Sequence, residues 1–283
     1  MKTFTGKDIL LNHQLDHPGW LLKDFWIYGS KGFVAGPPKS MKSMLVMDFA
    51  FSVATGAPFF GNSMGRDTCT VGYDIKVNRN HKVLYIQREM PLWLIRDRLA
   101  KMCDAKKIIS QPLKAAKGGI YTFDFDSVIG DELQNFHFTD PDESFNASDI
   151  NLLVSEIEPD LIVVDPLYTF TNSDMIKNSE VQPILRWLDG LTKKTKDGCS
   201  KPALIVIHHT AKPLEKNKKT VMTPVNLLGS TFLHGWAECL WMLTPTNPNQ
   251  VMLVREFRAD QSPPNVLIDF NIDKPGDWGY SLR

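Results

Sequence analysis

Eight residues, Gly36-Pro37-Pro38-Lys39-Ser40-Met41-Lys42-Ser43, constrain this chain more than any other stretch. A short apolar run, Gly32-Phe33-Val34-Ala35, leads into them, and a long apolar run from Met44 to Thr55 leads out. Strand, glycine-led loop, Lys-Ser and helix is the setting in which such a loop becomes a phosphate cradle. The backbone N–H groups of the loop and the helix N-terminus then point at anionic oxygens. On this pattern Gly36 to Ser43 surround the β- and γ-phosphates of a nucleotide, Lys42 bridges them, and the Ser43 hydroxyl ligates Mg2+. Met41 departs from the pattern, which usually has glycine before the lysine. A side chain there limits how tightly the loop can curl.

The rest of the chain reads as strands alternating with helices. Phe33–Ala35, Val83–Ile86, Leu161–Asp165 and Ala203–Ile207 are apolar runs of strand length. A helix from about Lys42 to Thr55 is apolar almost all round and should be buried, with Gly56 and Pro58 ending it. Further helices are expected after Pro91, over 148–158 with Asp149 or Ser148 as N-cap, over about 179–195 and near 229–238. Strands near 239–243, 250–257 and 265–270 follow one another too closely to be parallel. The expected fold class is α/β, with a mostly parallel central sheet flanked by helices and C-terminal antiparallel strands. With no repeat or Pro/Ser-rich linker, residues 1–283 read as a single domain. Within it, 1–30 is an N-terminal edge segment, and 61–81 and 104–147 are irregular insertions.

In an open α/β sheet, ligands bind at the carboxyl ends of the strands. Core strands here end in the phosphate loop, in Glu89, in Asp165 and in His208-His209. Asp165 suits Mg2+ held through a water, or else a strand-end turn. Glu89, expected on the strand next to the loop, suits the base that deprotonates an attacking water, or else a carboxylate at a helix N-terminus. His209 or His208 suits a sensor of the γ-phosphate. Lys212, Lys216, Lys218 and Lys219 follow, either as a solvated face or as phosphate contacts for a polynucleotide. Arg258, with Arg255 as second choice, suits an arginine that reaches a neighbouring subunit's γ-phosphate, or a surface ion pair.

Net charge of +0 argues neither for nor against a polyanion, so any nucleic-acid surface must be a local patch. The four cysteines, Cys69, Cys103, Cys199 and Cys239, form no CxxC pair, which speaks against structural zinc and for a reducing compartment. No run reaches the roughly 18 apolar residues of a membrane span, and the expectation is a cytoplasmic protein without a membrane partner.

Several of these stretches together resemble the RecA-like ATPases of the RepA type, a group of plasmid and phage hexameric replicative helicases akin to DnaB and RecA. The stretches are Gly-x-Pro-Lys-Ser-x-Lys-Ser, the strand ending in Glu89, Leu-Ile-Val-Val-Asp165 and Leu-Ile-Val-Ile-His-His-Thr-Ala-Lys212. Gly229-Ser230 and Glu256-Phe257-Arg258 also fit, and the likeness spans about residues 20–270. The resemblance implies a RecA-like core, Mg2+-ATP hydrolysed between subunits, a ring or filament with six subunits as the expectation, and single-stranded DNA in a central channel. By motif it implies Lys42 and Ser43 as phosphate and Mg2+ ligands, Asp165 as Mg2+ support, Glu89 as base and His209 as sensor, while Lys39 adds positive charge near the phosphates. The function implied is a DNA motor, a helicase or translocase. An ATP-dependent DNA-binding or loader protein without unwinding, and a nucleotide-regulated interaction module without DNA, stand as alternatives.

Overall fold

The computed structural model describes residues 5, 7, 19–60, 81–106, 114–115, 121–122, 131–139, 147–171, 177–193, 201–210, 227, 231–271 and 279–282. The strands are β1 (Trp20–Leu22), β2 (Trp26–Ile27), β3 (Lys31–Gly36), β4 (Val83–Gln87), β5 (Lys114–Ala115), β6 (Tyr121–Thr122), β7 (Phe136–Thr139), β8 (Leu161–Asp165), β9 (Ala203–His209), β10 (Cys239–Asn247), β11 (Gln250–Phe257), β12 (Val266–Asn271) and β13 (Gly279–Leu282). The α-helices are α1 (Lys42–Thr55), α2 (Leu92–Ala105), α3 (Ala147–Ile157), α4 (Asn178–Leu191) and α5 (Thr231–Trp236).

The central sheet runs β13-β12-β11-β10-β3-β9-β8-β4-β7. From β10 to β7 every pairing is parallel, and from β10 to β13 every pairing is antiparallel. The sequence explains the split. Parallel strands need long crossovers, and helices occupy the intervals between β3, β4, β8 and β9. Only short turns separate β10, β11 and β12. The register carries the functional consequence: Gly36 lies opposite His209, and Gln87 lies opposite Asp165. The loop after β3, the turn after β4, and the ends of β8 and β9 therefore meet at one carboxyl edge.

Two apolar layers sandwich the sheet. On one face α1 packs against Val34, Tyr85, Leu161, Val163, Ile205 and Ile207, with an aromatic group of Phe25, Trp26, Phe49, Phe59 and Trp241. The other face holds Phe33, Ala35, Ile162, Val164, Leu204 and Val206 beneath α4 and α5. Side chains alternate along a strand, so Asp165 and His209 fall on the α1 face and His208 falls on the other, its ring 5.9 Å from that of Phe33. Helix α1 begins and ends where the sequence places it. Gly56 closes it at φ 72°, donating its N–H to Ser52 O at 2.9 Å.

Several expectations change. The strand bearing Glu89 is not next to the loop's strand: β9 and β8 stand between β3 and β4, because hydrophobic runs do not encode which strands become neighbours. The stretch 104–147 is not wholly an irregular insertion, since its Phe136–Thr139 joins the sheet as an edge strand. Within the N-terminal edge segment, Trp20–Leu22 and Trp26–Ile27 pair as a separate β1–β2 hairpin. Ser148 and Asp149 lie inside the first turn of α3, not at its cap. Helix α2 does start after Pro91 as expected, with Pro91 as its N-cap and Leu92 the first helical residue. A last strand, β13, extends the antiparallel side beyond the expected end. Residues 61–80 lie outside the described residues.

Candidate active site

The phosphate loop is built on close backbone approach. A Cβ on Gly36 would meet Ser40 Oγ at 2.6 Å and Leu243 O at 2.7 Å, so only glycine fits at the end of β3. The loop then turns through two left-handed residues, Lys39 (φ 62°) and Met41 (φ 63°). Met41 thus takes the backbone shape for which a glycine would ordinarily be used, and its partly buried side chain packs on the core.

Lys42 opens α1 and folds back over the loop. Its Nζ donates to Gly36 O at 3.0 Å and Pro37 O at 2.9 Å, with Ser40 Oγ at 3.5 Å. Burial lowers its pKa to about 8, against the pull of Asp165 and then Glu89 in the opposite direction. Ser43, one residue on, donates its hydroxyl to Asp165 Oδ1 at 2.9 Å. The second carboxylate oxygen accepts from Tyr85 OH at 2.6 Å. Burial pushes Asp165 up to about 6, the Tyr85 and Ser43 hydrogen bonds oppose it, and the charge of Glu89 adds to it.

Glu89 stands in the turn after β4. Gln87 shapes that turn, its Oε1 accepting from the N–H of Glu89 at 3.1 Å and of Met90 at 2.7 Å. The exposed Glu89 carboxylate accepts from Tyr168 OH. His209 lies beside them, its ring centroid 5.2 Å from that of Tyr168. Burial and then Lys42 lower the His209 pKa, while Glu89 and a Gly36 backbone hydrogen bond raise it. Of the two histidines, His209 is the one that faces this cluster; His208 is buried on the opposite face.

The structure therefore brings together Gly36 through Ser43, Glu89, Asp165 and His209. It does not bring Arg258 to them. Arg258 N donates to Glu238 O, and Glu238 N to Lys31 O, which puts Arg258 beyond the amino end of β3. At about 3.3 Å per residue that strand separates the two edges by roughly 16 Å. Arg258 is exposed and donates to Gly235 O. Arg255 is buried, donating to Asp24 O at 2.8 Å and Pro264 O at 2.7 Å with its guanidinium over Phe25, and so serves packing. Lys212, Lys216, Lys218, Lys219 and Gly229-Ser230 lie outside the described residues. Sequence reasoning missed Tyr85, Gln87 and Tyr168. The first two carried a signal, since a phenol and an amide interrupt the otherwise apolar β4.

The residues present fit Mg2+. A hydroxyl and a carboxylate, both hard oxygen donors, adjoin at 2.9 Å. Among the described residues no group of three or more His, Cys, Asp or Glu could hold a metal; an ion at Ser43 and Asp165 would need its remaining ligands from phosphate and water. A cavity of about 490 Å³ lies elsewhere, at the amino edge between α3 and α4 and lined by Val154, Glu158, Trp187 and Leu191.

Over residues 3–215 the chain matches the AAA domain family, and it belongs to that family. The match contains β3, α1, β4, β8 and β9, hence the whole cluster from Gly36 to His209, and ends before β10 and Arg258. No curated protein matches the chain. Fold and family together define a P-loop ATPase of the AAA/RecA-like superfamily, a nucleotide-binding and nucleotide-hydrolysing domain. Among the described residues no helix is long and apolar enough to cross a membrane.

Proposed function

We propose that this chain is an oligomeric motor of the RepA type that hydrolyses Mg2+-ATP and acts on single-stranded DNA as a replicative-type helicase or translocase. The observation that carries the ATPase half is the Ser43–Asp165 hydrogen bond of 2.9 Å beside the buried Lys42. It joins the first residues of α1 to the end of β8, as a shared metal–phosphate site requires. Lys42 exchanges its carbonyl contacts for β- and γ-phosphate oxygens. Ser43, and Asp165 through a water, would hold Mg2+, which would supply positive charge next to those oxygens. Glu89 takes the proton of the attacking water, whose oxygen bonds to the γ-phosphorus as the bond to the β,γ-bridging oxygen breaks. His209, whose pKa both Lys42 and Glu89 shift, senses the γ-phosphate and passes its presence to the lysine-bearing loop that follows it.

Arg258 is assigned a role in trans. It is exposed and remote from its own chain's loop, so in a head-to-tail ring, six subunits being the expected number, it faces the neighbour's nucleotide. Lys212, Lys216, Lys218 and Lys219 neutralise DNA phosphates without reading sequence.

The test is the ATPase rate with and without single-stranded DNA at low and moderate salt. Stimulation that fades with salt supports the DNA motor or loader, and fork unwinding separates the two. No stimulation by single-stranded DNA, with binding unaffected by changing Lys216, Lys218 and Lys219 to Ala, leaves a nucleotide-regulated interaction module.

A further inference from the structure

We infer that Tyr168 is a positioning residue for Glu89, its hydroxyl holding one carboxylate oxygen so that the other is presented to the nucleophilic water beside His209. The inference rests on the proposal that Glu89 is the base. Tyr168 sits in a single 3₁₀ turn, Leu167–Phe170, joined to Asp165 through Pro166. Leu167 is fully buried and anchors that turn. Thr169 closes it, donating both its N–H and its hydroxyl to Pro166 O at 3.3 and 2.8 Å. Arg88, the residue before Glu89, binds the same turn from the other strand. Its Nη1 donates to Thr169 O at 3.0 Å, its N–H donates to Asp165 O at 3.2 Å, and its guanidinium lies over Phe170. The turns that carry Tyr168 and Glu89 are thus stapled to each other independently of the Tyr168–Glu89 hydrogen bond.

The tyrosine itself is 43 % exposed, so packing does not account for where it stands. What it touches does: Glu89 Oε1 through its hydroxyl, and the His209 ring through its own. Burial, and then the hydrogen bond and charge of Glu89, push the Tyr168 phenol up to about 12, so it stays a donor throughout the working pH range. A carboxylate on an exposed turn samples several rotamers, and one charge-assisted hydrogen bond selects among them. Such a bond contributes through the orientation of the base, which acts on kcat rather than on affinity.

Tyr168→Phe keeps the ring and removes only the hydroxyl. The expected result is a kcat lowered about 10- to 100-fold, with nucleotide Kd within about twofold of the parent and an unchanged melting temperature. In a double-mutant cycle, Glu89→Gln/Tyr168→Phe should hydrolyse no more slowly than Glu89→Gln alone, because the hydroxyl acts through the carboxylate. Parental kcat in Tyr168→Phe, a Kd that weakens in step with kcat, or a further full loss in the double variant would each overturn the inference while leaving Glu89 as base. Parental turnover in Glu89→Gln would instead remove the base assignment, and this inference with it.

Discussion

Two lysines flank helix α1 at nearly equal depth, Lys42 at 7 % exposure and Lys106 at 8 %, and they are held in opposite ways. Lys106 has an anion of its own. Its Nζ meets Asp48 Oδ1 at 2.9 Å, Ser52 Oγ at 3.0 Å and Pro58 O at 2.5 Å, tying α2 to α1 and to the chain just beyond it. Lys42 rests on neutral oxygens, two carbonyls and a hydroxyl, and burial takes its pKa from 10.5 to about 8. A lowering of that size corresponds to roughly 3 kcal/mol against the charged form. The first charge is matched inside the fold; the second is desolvated and left for something anionic to match. That contrast separates a structural cation from a ligand-binding one without reference to any motif.

The largest effect should fall on the structural member. Lys106→Ala leaves Asp48 as a buried charge without its partner, and breaking such a pair costs about 3–5 kcal/mol. Thermal melting should drop by roughly 10 °C, while protein still folded at lower temperature binds nucleotide as before. Lys42→Ala should do the reverse. Stability moves by less than about 1 kcal/mol, because the penalty on the charge and its three oxygen contacts disappear together. Nucleotide affinity, read by calorimetry, falls by at least about 100-fold, or roughly 2.7 kcal/mol. If both variants lose stability equally and both keep nucleotide, the distinction between the two lysines is broken.

This distinction was half legible in the sequence. Lys42 announces itself, because a strand, a glycine and a helix frame it. Lys106 does not, because nothing local says that residue 106 returns to face residue 48. The same limit explains the other misses. Leu161–Asp165 could be read as a central strand, since its apolar run ends in a carboxylate, but its place between β9 and β4 rests on long-range pairing. Tyr168 lies three residues past Asp165 and reaches Glu89 only because β4 and β8 are neighbours. Arg255 was available to closer reading: Val251, Leu253, Arg255 and Phe257 alternate on the buried side of β11, and alternation alone turns Arg255 inward.

The poised lysine also sets a pH dependence. Its value in the nucleotide-free protein is about 8, and phosphate oxygens raise it in the complex. Affinity for nucleotide without Mg2+ should therefore be flat below pH 8. Above it, affinity should weaken by up to about tenfold per pH unit, since protonation then accompanies binding. The sign for folding is opposite. The unfolded lysine titrates at 10.5 and the folded one lower, so between the two values the unfolded state binds more protons, and this group's contribution to stability rises with pH. Calorimetry between pH 6.5 and 9.5, with denaturant melts alongside, checks both slopes. An affinity that stays flat to pH 9.5 would mean that Lys42 is not the group meeting the phosphates.

The smallest effect carries the same division down to the backbone. Lys39 is exposed and held at φ 62°, a conformation that costs a non-glycine residue about 1–2 kcal/mol. Lys39→Gly removes that cost but gives the unfolded chain more freedom, for a net stabilisation of about 0.5 kcal/mol and a melting temperature about 1–2 °C higher. The same change deletes a positive charge beside the phosphates, weakening nucleotide about two- to threefold, as exposed charges do. Met41→Gly relieves the same kind of backbone conformation at φ 63° but strips a side chain from the core, so no stabilisation is expected there. Stability up and affinity down at Lys39, with no gain at Met41, would mean that this loop holds its strain where the charge is needed and fills the glycine position with packing. Equal gains at both positions would show instead that Met41 contributes nothing beyond a tolerated departure from glycine.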